Sequence, residues 1–281
     1  HVTGVQTCAL PIWIRQIMFN KLFIIIMLSM YSYASLEQKI TTITNTTDSS
    51  ASIAIGNLKI GQSGIIVHDY NENQSIIVSS AVVVSSNNST SQIKFIKFND
   101  LSQNALPTAK LTPSNNDTFI LNYLYKKSLL ITPNGESNNE IKEMLPSQSF
   151  LNSDIFASYL KLEANPTPTK KDFIEFCRTH NLGTIYIVLN KKCYVLDAKS
   201  FMIIDTLSLS YSSEIEEKPF YTKVDEIKKD TFSWFQKESI GNYTQYYTSL
   251  IDSESKNMKE IVIIEESDKG FFNGYLKALG L

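Results

Sequence analysis

The sequence predicts an α+β fold in which a small β-barrel-like module is followed by an α/β layer with an antiparallel meander and by C-terminal helices. Residues 35–116 consist of short β-branched runs separated by turn residues, with no helical spacing between them. Residues 117–211 mix helical spacing with further strand patterns, and residues 212–281 contain an aromatic-rich amphipathic stretch. Strands that come first and helices that come later are typical of an α+β fold rather than of a doubly wound parallel sheet.

The first 34 residues divide into two segments that do not belong to this fold. Residues 1–17, with the string VTGVQTCALPI, show no cap, period or turn chemistry, and they resemble a translated sequencing adapter joined to upstream sequence. Residues 18–34 have the layout of a cleavable signal peptide: Lys21, an apolar run over Leu22–Tyr31, and small residues at positions 32 and 34. An uncleaved anchor is the alternative, but the run is shorter than the about 20 apolar residues that span a bilayer. We therefore expect an exported protein of the periplasm or cell surface, with no membrane span after cleavage.

The charge balance gives no sign of a nucleic-acid partner. The chain contains 26 Lys+Arg and 28 Asp+Glu, which is a formal net charge of −2. Nucleic-acid binding requires basic residues clustered on one face, and the sequence shows no such cluster. We therefore expect no nucleic-acid partner.

The module over residues 35–116 is predicted to contain five strands. They lie at Lys39–Asn45, Ala51–Ile55, Gly64–Tyr70, Ser75–Ser85 and Gln92–Phe98. Their close spacing predicts a small barrel or a sandwich. The fourth strand is long, and a bend at Ser79-Ser80 would allow it to pair along two edges. Residues 101–116 are predicted to connect this module to the next.

The module over residues 117–211 is predicted to begin with two strands, continue with three helices and end in a meander. The strands are Thr118–Tyr125 and Leu129–Thr132, the helices are Ile141–Leu145, Ser153–Leu162 and Lys171–His180, and the meander is Thr184–Leu189, Cys193–Leu196 and Met202–Ser208. Ser153 or Asp154 is the expected cap of the second helix. Thr169 with Asp172 forms the expected capping box of the third.

The extension over residues 212–281 is predicted to contain one or two amphipathic helices, broken near Gly241. Its aromatic clusters, with Phe220-Tyr221 and Tyr243–Tyr247 among them, fit either docking onto the α/β layer or a platform for a ligand. Helical spacing favours docking.

The sequence contains two apparent catalytic or ligand-binding motifs, and each lacks a feature that its chemistry requires. Residues 56–63, GNLKIGQS, imitate a phosphate-binding loop, but Gln62 replaces the lysine and a strand rather than a helix follows. Cys177, His180 and Asp197 could be combined into a thiol triad, yet Cys177 shares the apolar face of its helix, as a buried core thiol does. Only His68 and His180 follow residue 34, too few for histidine-rich metal ligation. We expect no catalytic residues, no metal, no cofactor and no enzymatic activity.

Cys177 and Cys193 are the two cysteines after residue 34. In an oxidising compartment they could form a disulfide. Free cysteines are also common in protein cores, and the sequence alone does not show whether the two Cα atoms come within about 6 Å. Both interpretations remain open at this point.

Three stretches of the sequence resemble a known protein family. They are residues 55–98 (IGNLKIGQSGIIVHDY and onward), 105–134 and 154–201, and they are similar to the N-terminal-domain family of plasminogen-binding surface proteins of epsilon-class proteobacteria. The resemblance extends from about Lys39 to Tyr247, over many ordinary residues and without a short diagnostic motif. It implies an exported envelope protein that engages host plasminogen. The alternative is a periplasmic structural or assembly factor that holds another envelope protein; a hydrolase using Cys177 is the weakest hypothesis.

Two lysines are the candidate partner-binding residues that this resemblance suggests. Kringle modules of plasminogen bind a lysine ammonium between acidic groups and over an aromatic trough, and they favour a nearby carboxylate. Lys269 lies beside Asp268, and Lys277 lies four residues before Leu281. Each therefore resembles a C-terminal lysine, although both would also fit the description of ordinary solvated lysines.

Overall fold

The computed structural model describes residues 36–71, 74–98, 111–225 and 239–252. The chain divides at Glu37/Gln38 into two units, and the fold described below belongs to the unit that begins at Gln38. The predicted segments 1–17 and 18–34 lie outside the described residues, so the interpretation of the N-terminus stays a prediction.

Six antiparallel strands form a closed barrel in the order β1-β2-β5-β4-β3-β6. The strands are β1 (Lys39–Thr44), β2 (Ser50–Ile53), β3 (Ser63–Asn71), β4 (Gln74–Ser86), β5 (Ser91–Ile96) and β6 (Thr118–Leu121). Alternate residues point inwards and fill the barrel, as period-2 patterning predicts. The buried interior is made by Ile43, Ala51, Ile53, Ile66, Ala81, Val83, Ile93, Phe119 and Leu121.

Strand β4 pairs along two edges, which confirms the sequence-based expectation. Its first part pairs with β3 up to Val82↔Ser63, and its second part pairs with β5 from Ser80↔Ile96 onward. The β3–β4 register shifts between Ile66 and Val67, close to the predicted bend. A bulge of this kind increases local twist and allows a small sheet to close on itself.

Strand β6 closes the barrel by pairing with both β1 and β3. The sequence-based boundary between residues 116 and 117 therefore falls before the last barrel strand. The predicted strand Thr118–Tyr125 also ends early, because Asn122 (φ 59°) and Leu124 (φ 67°) adopt left-handed backbone conformations that break the ladder.

A mixed five-stranded sheet forms the α/β layer, in the order β11-β10-β9-β7-β8. The strands are β7 (Lys127–Ile131), β8 (Ser149–Leu151), β9 (Thr184–Leu189), β10 (Lys192–Asp197) and β11 (Ile203–Ser208). Strand β7 runs parallel to both β8 and β9, whereas β9, β10 and β11 form the predicted antiparallel meander. Asn190 and Lys191 connect β9 to β10, and both have positive φ, as the two central residues of a type I′ hairpin turn do.

Four helices are present in the described residues. They are α1 (Gly135–Met144), α2 (Ser153–Leu162), α3 (Lys170–Thr179) and α4 (residues 243–252). The capping box of Thr169 and Asp172 at α3 is confirmed. The expected cap of α2 was wrong: the Asn152 side chain accepts from the Asp154 amide, which leaves the Asp154 carboxylate for another segment.

The core of the α/β layer lies between the sheet and helices α2, α3 and α4. Its sheet residues include Leu129, Ile131, Ile185, Ile187 and Leu196, and its helical residues include Phe156, Phe173, Phe176, Tyr243 and Tyr247. Burial of Phe220, Tyr243 and Tyr247 in this cluster favours docking over a ligand platform for these aromatic side chains. No helix within the described residues is long and apolar enough to cross a lipid bilayer.

An irregular segment after β11 is held against the helices by three carboxylates. Glu140 accepts from the amides of Ser210 and Tyr211 at 2.7 and 2.9 Å. Glu136 accepts from the amides of Ser212 and Ser213, each at 2.9 Å. Further along, Asp154 accepts from the Lys223 amide at 2.7 Å and from Thr222 Oγ1 at 2.7 Å. These hydrogen bonds fix both ends of the segment over residues 210–223 to helices α1 and α2.

Candidate functional site

The two lysines that the sequence singled out, Lys269 and Lys277, lie outside the described residues. Their role in partner binding therefore stays a prediction.

The two candidate disulfide cysteines are both buried and free. Cys177 packs within the core cluster from helix α3, whereas Cys193 lies on β10 opposite Val188. Burial raises the pKa of both thiols, and the nearby negative charge of Asp197 adds to the rise for Cys177. Both side chains therefore have the character of neutral core thiols.

Cys177, His180 and Asp197, which the sequence alone could combine into a thiol triad, do not interact as one in the structure. His180 stacks on Phe176 with ring centroids 4.1 Å apart, and its Nδ1 lies 3.0 Å from the Phe176 carbonyl oxygen. The Asp197 carboxylate accepts hydrogen bonds from Ser63, Tyr125, Lys199 and Ser200. No group of three or more His, Cys, Asp or Glu side chains within the described ranges is placed to share a metal ion.

Asp197 is fully buried where the barrel meets the α/β layer. One carboxylate oxygen, Oδ2, accepts from the Ser63 amide at 3.1 Å, from Ser63 Oγ and from the Tyr125 hydroxyl at 2.6 Å. The other oxygen, Oδ1, accepts from the amides of Lys199 and Ser200 at 2.9 and 2.7 Å. Burial raises the pKa of Tyr125 well above its usual value, and the Asp197 charge raises it further, so the phenol stays a proton donor.

Beside this contact a cleft of about 770 Å³ opens between the barrel and the helical layer. The barrel contributes Ser63, Ser80, Ile96 and Lys97 to its lining. The layer contributes one side of α3 from Thr169 to Arg178, the turns at residues 123–124 and 181–183, and residues 198–199 after β10.

The charged side chains that line the cleft are mostly basic. Among the described residues they are Lys97, Lys170, Lys171, Arg178 and Lys199, against the single acid Glu175. Glu175 lies 3.4 Å from Arg178 on the same helix. Because the chain as a whole has a formal charge of −2, this concentration of positive charge is a local feature.

Two lysines of the cleft lie near aromatic rings. Lys170 Nζ is 6.0 Å from the Phe201 ring centroid, and Lys199 Nζ is 5.7 Å from that of Phe98. At such distances the ring face attracts the ammonium group weakly, which helps to fix the position of the charge.

Sequence reasoning missed this cleft for a physical reason. Its cations come from the barrel, from both ends of one helix and from a turn after β10, so no stretch of sequence carries them together. The polar pair Ser79-Ser80 within a β-branched run predicts a bend in the strand, and by itself it does not indicate a cleft.

Fold and cleft together define a two-module α+β protein, a closed barrel joined through a buried carboxylate to a helix-covered sheet. The chain belongs to the family described as "Plasminogen-binding protein pgbA N-terminal", whose pattern matches residues 36–251. This confirms the family expected from the sequence.

Two curated relatives are similar to this chain over much of its length. The Plasminogen-binding protein PgbA of Helicobacter pylori strain J99 / ATCC 700824 is 26% identical over 208 residues, which cover 73% of this chain and 45% of the relative. The protein of the same name from strain ATCC 700392 / 26695 is 26% identical over 201 residues, covering 71% and 44%. The chain thus spans less than half the length of the curated relatives that it matches.

Proposed function

We propose that this chain is an exported envelope protein that binds host plasminogen. The observation that carries the proposal is the family match over residues 36–251, together with the plasminogen-binding name of both relatives. The apolar run after Lys21 supports export, since its length and flanks suit a cleaved signal peptide.

The closed barrel favours a side-chain-mediated mode of binding. Each of its six strands pairs with two neighbours over part of its length, so the closed part of the barrel offers no free strand edge for a partner to extend. The outer end of the β3–β4 hairpin lies outside this closed part, because β3 pairs with β6 only over Gly64–Val67 and β4 pairs with β5 only from Ser80 onward. Strand addition is the usual way in which an extended peptide joins a sheet. Exposed side chains are therefore the groups through which a partner would contact the closed part of this module.

Lys269 and Lys277 are the side chains that we propose for the plasminogen contact. A kringle binds a lysine ammonium beside a carboxylate, and Lys269 has the carboxylate of Asp268 next to it in the sequence. The interaction would be dominated by one charged group entering a preformed site, so free lysine analogues should compete with it.

A pull-down with purified plasminogen tests the activity. The chain should retain plasminogen on beads, and a lysine analogue such as 6-aminohexanoate should release it. Retention that is absent, or indifferent to the analogue, would remove the adhesin proposal and favour a structural or assembly role in the envelope.

Exposure on the cell is tested separately. Proteases added to intact cells should cleave a surface-displayed protein, whereas a periplasmic protein should be cleaved only after the outer membrane is opened. Mass spectrometry of the mature N-terminus should find Ser35 if the proposed signal peptide is removed after Ala34.

A further inference from the structure

The cleft between barrel and helical layer combines positive charge with apolar walls. Lys97 approaches from the barrel, Lys171 from the first turn of α3 and Arg178 from its last turn. Cations that converge from separate elements on one concave site favour a negatively charged guest, because opposite charges attract more strongly where the walls displace water.

The walls between these cations are apolar. Ile96, Leu124, Ile174 and Leu182 all line the cleft. Ile96 is 42% exposed although it lies in a barrel strand, beside Ser80 in the β4–β5 register. Apolar surface in a concave site gains free energy when a ligand covers it. The guest that suits both features has an anionic head and an apolar body.

A buried hydroxyl supplies an independent sign of a ligand. Ser80 is 1% exposed and lines the cleft, and its Oγ has no hydrogen-bond partner within the described structure. Buried polar atoms almost always have a partner, and an orphan is commonly explained by a bound group or an ordered water. The neighbouring Ser79, by contrast, donates to the carbonyls of Ser80 and Ile96 at 2.8 and 2.9 Å.

The size of the cleft limits the class of guest. Sites for small organic molecules commonly measure about 300–1,000 Å³. At about 770 Å³ the cleft falls inside this range, and it is far too small for a folded partner.

We propose that the cleft binds a small amphiphilic anion, an organic carboxylate or phosphate ester whose apolar part contacts Ile96, Ile174 and Leu182 and whose head lies among Lys97, Lys171 and Arg178. This site uses other residues than the proposed plasminogen contact, in which a lysine of this chain enters a site on the partner.

The proposal is tested by isothermal titration of the full chain with four probes that separate head from body. Decanoate and decyl phosphate, below their micelle concentrations, carry both features; 1-decanol lacks the charge, and inorganic phosphate lacks the apolar body. Decanoate or decyl phosphate should bind, and decanol and inorganic phosphate should bind at least about tenfold more weakly. Binding of the anions should weaken as salt is raised.

Variants locate the binding. Lys97→Ala/Lys171→Ala should lower the affinity for decanoate at least about tenfold, whereas Lys161→Ala on the exposed end of α2 should leave it unchanged. Ser80→Ala should lower it about fivefold without lowering the melting temperature of the free protein, because no existing hydrogen bond is lost.

Three results would overturn the proposal: no binding of either decanoate or decyl phosphate, equal affinity for decanol and decanoate, or full affinity for decanoate in the Lys97→Ala/Lys171→Ala variant. Plasminogen retention should be the same with and without decanoate, so loss of one activity leaves the other measurable.

Discussion

Asp197 of the α/β layer accepts two hydrogen bonds from Ser63 of the barrel, one from its amide at 3.1 Å and one from its hydroxyl. Nearby, Ser200 Oγ donates to the Gly61 carbonyl at 2.8 Å. Residues more than 130 positions apart are thus joined by bonds that lie largely out of water. In such surroundings charge-assisted bonds are stronger than on the surface.

We expect Asp197→Asn to destabilise the protein strongly. All five groups around the carboxylate donate hydrogen bonds. The NH2 group of the new asparagine side chain is also a donor, so on one side of the site it would face other donors and the hydrogen bonds there would be lost. The free energy of unfolding in urea should fall by about 3 kcal/mol. The exposed Asp48→Asn is the matched control and should change it by less than about 0.5 kcal/mol.

Ser63→Ala removes only the hydroxyl donor and leaves the hydrogen bond from the backbone amide of residue 63 to Asp197 in place. It should cost about 1 kcal/mol. An Asp197→Asn variant as stable as the Asp48→Asn control would show that the buried carboxylate does not stabilise the contact.

Acid should loosen the segment over residues 210–223. Hydrogen bonds from the Ser212 amide and hydroxyl, and from the Ser213 amide, lower the pKa of Glu136. Burial by itself would raise the pKa of Asp154, but bonds from Lys223 and Thr222 outweigh burial and lower it. A carboxyl with a lowered pKa in the folded state stabilises that state above its unfolded pKa, about 4, and the contribution is lost as the pH falls through the folded pKa.

The melting temperature should therefore be nearly constant between pH 7 and 5 and should fall below about pH 4. Glu136→Gln/Asp154→Asn should be less stable than the parent at pH 7, and the difference should shrink toward pH 2. A constant difference across that range would contradict the assignment. Hydrogen exchange of the Ser212 and Lys223 amides gives a local readout of the same loosening.

Gly183→Ala should be destabilising because of a close backbone approach. A Cβ at this position would lie 2.5 Å from the Leu124 carbonyl carbon and 2.7 Å from its oxygen, and backbone atoms there cannot move aside cheaply. We expect a loss of about 2 kcal/mol in the free energy of unfolding.

Gly241→Ala is the control for this prediction, since a Cβ there meets nothing within 4 Å. Equal effects of the two substitutions would mean that the approach of residues 124 and 183 is not a constraint on the fold.

Cys177 and Cys193 should react slowly with thiol reagents in the native protein. Both are buried, and burial raises the pKa of each thiol, so little thiolate is present at neutral pH. Iodoacetamide labelling followed by peptide mass spectrometry should find each cysteine unmodified before unfolding and fully modified in denaturant without reductant. Modification that requires a reductant would instead reveal a disulfide.

Local signals account for what the sequence predicted of the fold. Period-2 runs with turn residues between them predicted the barrel strands, and the Thr169–Asp172 capping box fixed the start of α3. The meander followed from the breaks at Asn190-Lys191 and after Asp197. In each case the deciding interaction lies within a few residues.

The sequence did not predict features that depend on residues far away along the chain. Strand β6 belongs to the barrel because β1 and β3 lie on either side of it, which residues 118–121 alone cannot show. Helix α1 begins six residues before its predicted start, since Asn134 caps it and its inner face includes the small polar residues Ser137 and Asn138 rather than an apolar stripe. Asp154 resembles a helix cap but binds the segment at 222–223 instead.

The equilibrium binding of plasminogen to the purified chain tests the central claim most directly. The parent and the Lys161→Ala control should bind saturably, and 6-aminohexanoate should abolish binding. Lys269→Ala/Lys277→Ala should bind at least about tenfold more weakly, because the ammonium groups that would enter the kringle sites are gone. Absence of binding to the parent, or binding that is unaffected by the analogue, would contradict the account. Full binding by the Lys269→Ala/Lys277→Ala variant would exclude these two lysines as the contact.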